Sequence, residues 1–270
     1  MPTRELFAIA ALPIVVVVVV WLPAWTFLVV VAAATIIAGD ELLRMARGLG
    51  ISCGRGLPLA ALAGLMAGAW VFGTAGLTVA AIAALMVVPT AQLTRRTGPE
   101  GSLTGVAVAC FAVLFLGVAA ASLGWLRLRS SELDNVRFVL LYLGTIWVGD
   151  SGAYYVGKWL GRHKMSPRVS PNKTWEGLAG GVLATAAGAA LFNVLFGVAL
   201  SWPHLAAVAA ILMVVVPVGD LVESQFKRDT RVKDSSSLIP GHGGMLDRTD
   251  SLFYAAPWVL GYLLATGLMR

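Results

Sequence analysis

Long apolar runs alternate with short polar interruptions along the whole chain. A helix needs about 20 apolar residues to cross a hydrocarbon core about 30 Å thick. On that rule the pattern predicts spans near 6–21, 23–38, 57–73, 75–93, 102–123, 138–156, 177–199, 204–225 and 251–269. Only Pro23 and its neighbours separate the first two spans, but a single helix of their combined length would reach about 50 Å, too long for a bilayer. The expected fold is therefore all-α: a polytopic integral membrane protein of about nine transmembrane helices in one integral domain. Residues 1–135 form an N-terminal transmembrane region, and residues 136–270 a C-terminal transmembrane region that carries the catalytic chemistry.

Composition agrees and excludes an ordinary water-soluble domain. Hydrophobic residues fill 58% of the 270 positions against 13% charged, and the mean hydropathy is +0.82. Met1 to Glu5 followed by an apolar run has the outline of a secretory signal. A second apolar run follows at once with no clean cleavage site, so a retained helical hairpin is expected. With the N-terminus in the cytoplasm, sixteen of the 20 basic residues fall on inner segments, and only Arg127, Arg129, Arg137 and Arg270 fall outside. That asymmetry places the polar chemistry on the cytoplasmic side. Cys53 and Cys110 form no disulfide framework or metal-ligand spacing, and His163, His204 and His242 lie in unrelated loops, so a zinc site is not expected.

Gly177, Gly180, Gly181, Ala184 and Gly188 recur at near-helical spacing, which lets neighbouring helix backbones approach closely. Two spans, 138–156 and 204–225, end in Val-Gly-Asp followed by polar helix. Both run from outside to inside, so Asp150 and Asp220 are expected at similar depth near the cytoplasmic interface.

Carboxylates set into a bilayer are costly, so each one there asks for a function. Asp220, Glu223 and Lys227 stand at i, i+3 and i+7 on one helix face, with Ser224 beside them. Glu223 and Lys227 also have the spacing of a plain intrahelical ion pair. The segment KDSSSLIPGHGGMLDRTD, 233–250, is denser still. Pro240, Gly241, Gly243 and Gly244 stop a helix and allow backbone N–H groups to converge on an anion. Asp247 and Asp250 follow, three apart, with Arg248 between them. Asp247 alone could be a helix N-cap, which leaves Asp250, Arg248, Asp234 and Lys233 unexplained. Hard oxygen ligands beside phosphate-binding cations suit Mg2+ on a polyphosphate. A second loop, RHKMSPRVSPNKTWEG at 162–177, brings Arg162, Lys164, Arg168 and Lys173 to the same membrane face. Pro171 and Asn172 are expected to form its turn, Thr174 to cap the next helix, and Ser170, Asn172 and Lys173 to bind substrate.

Ser224, Lys227, Arg228, Lys233, Asp234, Ile239, Pro240, Gly241, His242, Gly243, Gly244, Asp247, Arg248 and Asp250 follow the pattern S-x-x-K-R-x4-K-D-x4-I-P-G-H-G-G-x-x-D-R-x-D. This resembles the signature of the phosphatidate cytidylyltransferase, or CDP-diacylglycerol synthase, family. SPNKTWEG and GDSGAYYVGKWLGRHK look like the same family, and the resemblance covers about residues 140–260. Ser235 to Ser237 make a more polar linker than the pattern leads one to expect.

The resemblance implies a multi-pass enzyme of the bacterial inner membrane, its active site facing the cytoplasm, that joins CTP to phosphatidic acid and releases pyrophosphate. Asp220, Asp247 and Asp250 would hold Mg2+ on the CTP phosphates. Lys227, Arg228, Lys233, Arg248 and Lys173 would neutralise the pyrophosphate and the lipid phosphate, and Ser224, Asp234, Gly241, His242, Gly243 and Gly244 would complete the substrate site. The family also implies homodimers and admits a second, monovalent cation such as K+; membrane lipids are the expected partners and nucleic acid is not. A CTP-dependent polyprenol or phytol kinase and a transporter of a phosphorylated anion are the alternatives.

Overall fold

A computed structural model describes residues 13–94, 100–128, 134–238 and 243–269. Helix α1 is described from 13 to 20. It is followed by α2 (Ala24–Gly48), α3 (Gly56–Thr90), a short 3-10 turn (Ala91–Thr94), α4 (Ser102–Leu128) and α5 (Asn135–Leu160). Strands β1 (Lys164–Ser166) and β2 (Ser170–Thr174) then lead into α6 (Trp175–Leu195), α7 (Trp202–Asp229) and α8 (Leu246–Ala265). Among the described residues five helices, α2, α3, α4, α6 and α7, are long and apolar enough to cross a membrane. Large apolar side chains such as Phe72, Leu183, Leu191 and Val214 face outward, where lipid solvates them. The protein is a membrane-embedded helical bundle.

Chain punctuation falls where backbone chemistry demands it. Pro23, extended at ψ 152, separates α1 from α2. The 35 residues of α3 would reach roughly 50 Å if straight, but Gly73 breaks the helix at φ 65, ψ −144, a conformation that only glycine adopts without strain. Beyond it the chain folds back, so that a side chain on Gly76 would overlap the Gly68 carbonyl. The expected spans 57–73 and 75–93 meet at this break. The expected span 6–21 lies partly outside the described residues.

Helix α2 runs ten residues past the end of its apolar span at 38. Glu-Leu-Leu-Arg is good helix-forming sequence, and Asp40 supports it with an i, i+4 ion pair to Arg44 at 2.6 Å. That extension carries Asp40 and Glu41 into the protein interior, where their exposures are 8% and 2%.

Helices α5 and α6 pack along the small-residue stripe. An added Cβ would lie 2.5 Å from Val156 at Gly180, 3.0 Å from Ala153 at Gly181 and 3.2 Å from Val148 at Gly188. Across the bundle α3 packs on α4, α4 on α2 and α8, and α7 on α8. Phe138, Tyr142, Leu116, Leu212 and Leu263 are fully buried at these seams. The Tyr142 hydroxyl donates to the Leu252 carbonyl at 2.5 Å, so its one polar atom does not go unpaired.

The loop after α5 is a two-stranded antiparallel ribbon, pairing Lys164 with Thr174 and Ser166 with Ser170. This corrects the expected turn at Pro171 and Asn172: both lie in β2, and the turn is at 167–169. Pro167, with its fixed φ, starts that turn, whereas Pro171 is tolerated because a two-stranded ribbon leaves an edge whose N–H groups need no partner. Thr174 caps α6 as expected, accepting from the Gly177 N–H at 3.1 Å.

Candidate active site

Apolar α7 changes character after Gly219. A Cβ at Gly219 would sit 2.6 Å from that of Tyr254, so α7 and α8 touch just below the polar turns. This contact brings Asp250 of α8 to the stripe of α7 that carries Asp220 and Glu223. Carboxylate oxygens of Asp220, Glu223 and Asp250 all lie within 4.8 Å of one another. Glu223 is buried at 4% exposure. The Lys227 ammonium lies 2.5 Å from Glu223 Oε2, so the i, i+4 pair is formed, while Glu223 Oε1 has no hydrogen-bond partner among the described residues. Behind these groups is an apolar wall that includes Leu42, Phe115, Phe226 and Phe253.

Asp247 stands on the far side of Lys227, its Oδ1 accepting from the ammonium at 2.6 Å. Its Oδ2 accepts from the N–H groups of Gly244 at 2.7 Å and Ser235 at 2.8 Å, and from the Ser235 hydroxyl at 2.8 Å. The residue precedes the apolar stretch that begins at 251. Burial there disfavours charge, but the Lys227 ammonium and the two N–H groups outweigh it and hold the carboxyl down at about 2. Both preceding glycines are required. Gly243 has φ +80 with no room for a side chain beside Asp247, and a Cβ on Gly244 would lie 2.5 Å from both Glu41 carboxylate oxygens.

The ribbon closes the site from a third direction. Lys173 of β2 places its ammonium 2.7 Å from Asp220 Oδ2. Arg228 donates to the Val169 and Val232 carbonyls, both at 3.2 Å, and so ties the ribbon to α7. The Ser224 hydroxyl lies 3.5 Å from Asp220 Oδ1. Asp150 of α5 is within electrostatic reach of Asp220, Lys173 and Arg248, so the two Gly-Asp helix ends converge on one place.

Of the residues singled out in the sequence, Asp220, Ser224, Lys227, Lys173, Asp247 and Asp250 are gathered here. Arg248, Lys233 and Asp234 are exposed around it, Asn172 is exposed on the ribbon, and Ser170 is half-buried. Gly241 and His242, with Ile239 and Pro240, lie outside the described residues. Sequence reasoning overlooked Asp40 and Glu41. Asp40 gathers Arg44 at 2.6 Å, Arg55 at 2.7 Å and Arg47 at 3.7 Å, and Glu41 reaches the 235–246 segment. A signal was present: Gly39-Asp40 repeats the Gly-Asp ending of the spans before Asp150 and Asp220.

Three convergent carboxylates, one with an unused buried oxygen, fit a hard divalent cation that takes oxygen ligands and leaves positions for water and phosphate. Two lysines beside them fit the phosphates. Asp247, already held by the Lys227 ammonium and by the N–H groups of Gly244 and Ser235, is not in the close carboxylate group.

Several bacterial proteins named phosphatidate cytidylyltransferase resemble the chain. That of Bacillus subtilis is 39% identical over 156 residues, which cover 56% of this chain and 58% of the relative. That of Haemophilus influenzae is 46% identical over 146 residues, half of each chain. That of a Synechocystis species is 46% identical over 129 residues, covering 46% of this chain and 42% of the relative. The chain thus spans about half the length of the curated relatives it matches. The sequence model of the cytidylyltransferase family matches much more of it, residues 2–266. Nearly the whole bundle, with the α7, α8 and ribbon residues gathered here, falls inside that match, and the chain belongs to the cytidylyltransferase family.

Proposed function

We propose that the protein transfers the cytidylyl group of CTP to phosphatidic acid, leaving CDP-diacylglycerol in the membrane and releasing pyrophosphate. The observation that carries this reading is the carboxylate cluster of Asp220, Glu223 and Asp250, flanked by Lys173 and Lys227 at the polar ends of apolar helices. A phosphate oxygen of the lipid attacks the α-phosphorus of CTP. One P–O bond forms there as the bond to the bridging β-oxygen breaks, and pyrophosphate departs. The attacking oxygen is already an anion, so no strong base is required. Orientation and charge neutralisation are the main demands.

Asp220, Glu223 and Asp250 would hold Mg2+, which supplies a Lewis acid for the nucleotide phosphates. The sequence pattern put Asp247 in that set; its engagement with Lys227, Ser235 and Gly244 favours Glu223 in its place. Asp247 then aims the Lys227 ammonium, and Lys173 and Lys227 offset phosphate charge from either side of the cluster. Arg228 acts by holding the ribbon, and with it Lys173, in place. Arg248 and Lys233, exposed at the rim, meet the incoming nucleotide. Apolar side chains of α4 and α8, including Phe111, Phe115, Tyr254 and Trp258, line a groove that shares Phe115 and Phe253 with the wall of the site. Acyl chains would have an apolar surface beside the reacting phosphate.

The same reading includes nine membrane crossings, supported by the breaks at Pro23 and Gly73. It places the protein as a homodimer in the bacterial inner membrane, with the site on the cytoplasmic face that the basic residues favour. The test is purified protein with phosphatidic acid, Mg2+ and CTP labelled on either the α- or the γ-phosphate. Transfer puts the α label in lipid and the γ label in pyrophosphate. No α label in lipid would reject the transfer; γ label in a polyprenol supplied in place of phosphatidic acid, with CDP released, would indicate a kinase.

A further inference from the structure

Glu41 belongs to α2, in the half of the chain that the sequence treats as scaffold, yet all four of its described hydrogen bonds reach a segment about two hundred residues away. Its Oε1 accepts from the Ser236 hydroxyl at 2.6 Å and the Met245 N–H at 3.0 Å. Its Oε2 accepts from the Ser235 hydroxyl at 2.9 Å and the Leu246 N–H at 2.8 Å. The side chain is buried at 2% exposure, and none of these four donors carries a charge. A buried carboxylate is tolerated on such terms only while every donor stays in place, so the charge and the folded segment require each other.

The segment it holds also holds Asp247. Ser235 has a single hydroxyl proton and two carboxylates within reach, Glu41 Oε2 at 2.9 Å and Asp247 Oδ2 at 2.8 Å. Leu246 and Met245, fixed by Glu41, are the residues directly before Asp247. Asp247 in turn sets the Lys227 ammonium beside Glu223. We propose that Glu41 is a positioning residue of the active site: it anchors the segments around Ser235 and Met245 so that Asp247 holds the Lys227 ammonium in register with the substrate phosphates. Gly244 is then required by close approach as well as by loop geometry, because any side chain there would displace Glu41. The polar linker Ser235–Ser236 gains a role as the clamp's other jaw.

The activity part of this inference rests on the proposed cytidylyl transfer; the anchoring part does not. The test compares wild type, Glu41→Gln and Ser235→Ala in detergent by steady-state kinetics and by amide hydrogen exchange. Gln presents an NH2 to at least one donor, so Glu41→Gln should lower kcat tenfold or more, with KM for CTP changed less than threefold. It should speed exchange at Met245 and Leu246 at least tenfold and leave the cores of α4 and α5 unchanged. Ser235→Ala keeps both backbone bonds to Glu41 and should act in the same direction by three- to tenfold. Wild-type kcat in Glu41→Gln, or exchange accelerated equally throughout the bundle, overturns the proposal. If Glu41→Gln does not fold, Ser235→Ala decides, and unchanged kcat and exchange there overturn it. A wild-type chain that transfers no cytidylyl group, with exchange still accelerated in Glu41→Gln, rejects the proposed function and upholds the anchor.

Discussion

Replacing Lys227 with Met should destabilise the protein far more than the same change at Lys173. The Lys227 side chain is 12% exposed and stands between Glu223 and Asp247, whose side chains are 6% and 4% exposed, at 2.5 and 2.6 Å. Removing it strands two buried carboxylates without their shared cation, a loss of about 3–5 kcal/mol. Lys173, 22% exposed with its ammonium nitrogen buried, pairs with an Asp220 side chain that is 41% exposed; the carboxylate left behind keeps water, so the loss is smaller, about 1 kcal/mol. At a few degrees per kcal/mol, Lys227→Met should melt roughly 10 °C below wild type. Cys53 and Cys110 are buried and outside any disulfide, so a thiol-reactive fluorophore in detergent reports unfolding directly. If stranded charge is the cause, adding Glu223→Gln to Lys227→Met should restore part of the loss. A melting temperature for Lys227→Met within about 2 °C of wild type would refute the reasoning, as would a further fall on adding Glu223→Gln.

Asp250→Asn should raise the Mg2+ concentration for half-maximal transfer by about tenfold or more, seen in a metal titration at saturating CTP, with the melting temperature little changed. Gly243→Ala places a Cβ at φ +80 against Asp247; a strain of about 1–3 kcal/mol should appear as lower thermal stability together with reduced kcat. Thr174→Ala removes the α6 N-cap and should cost about 1 kcal/mol, measured as a small fall in melting temperature with transfer per folded molecule within about threefold of wild type.

Much of the bundle was legible because lipid imposes one strong rule, that spans are apolar and helical. Pro23 and the boundary between the spans 57–73 and 75–93 marked real breaks, and the small-residue stripe from Gly177 to Gly188 marked a real helix seam. The same rule hid whatever continues past the apolar run. Helix α2 passes Ala38 without interruption, so Asp40 and Glu41 fell between a span and a loop and were assigned to neither. The ribbon at 164–174 is too short and polar for periodicity to show, and its Pro171 reads as a turn until the register places it in an edge strand. In the site, spacing on α7 revealed the stripe of Asp220, Glu223 and Lys227. Nothing in spacing decides how α8 rotates against α7. That rotation, set by Gly219 under Tyr254, is what turns Asp250 toward Glu223 and leaves Asp247 to the loop.

The central claim is that carboxylates from α7 and α8 form one divalent-cation site at the polar edge of the bundle. Anomalous diffraction from crystals grown with Mn2+ in place of Mg2+ tests it most directly. The account predicts a peak within about 2.5 Å of carboxylate oxygens from Asp220, Glu223 and Asp250. A peak elsewhere, or none between those three side chains at saturating Mn2+, would contradict it.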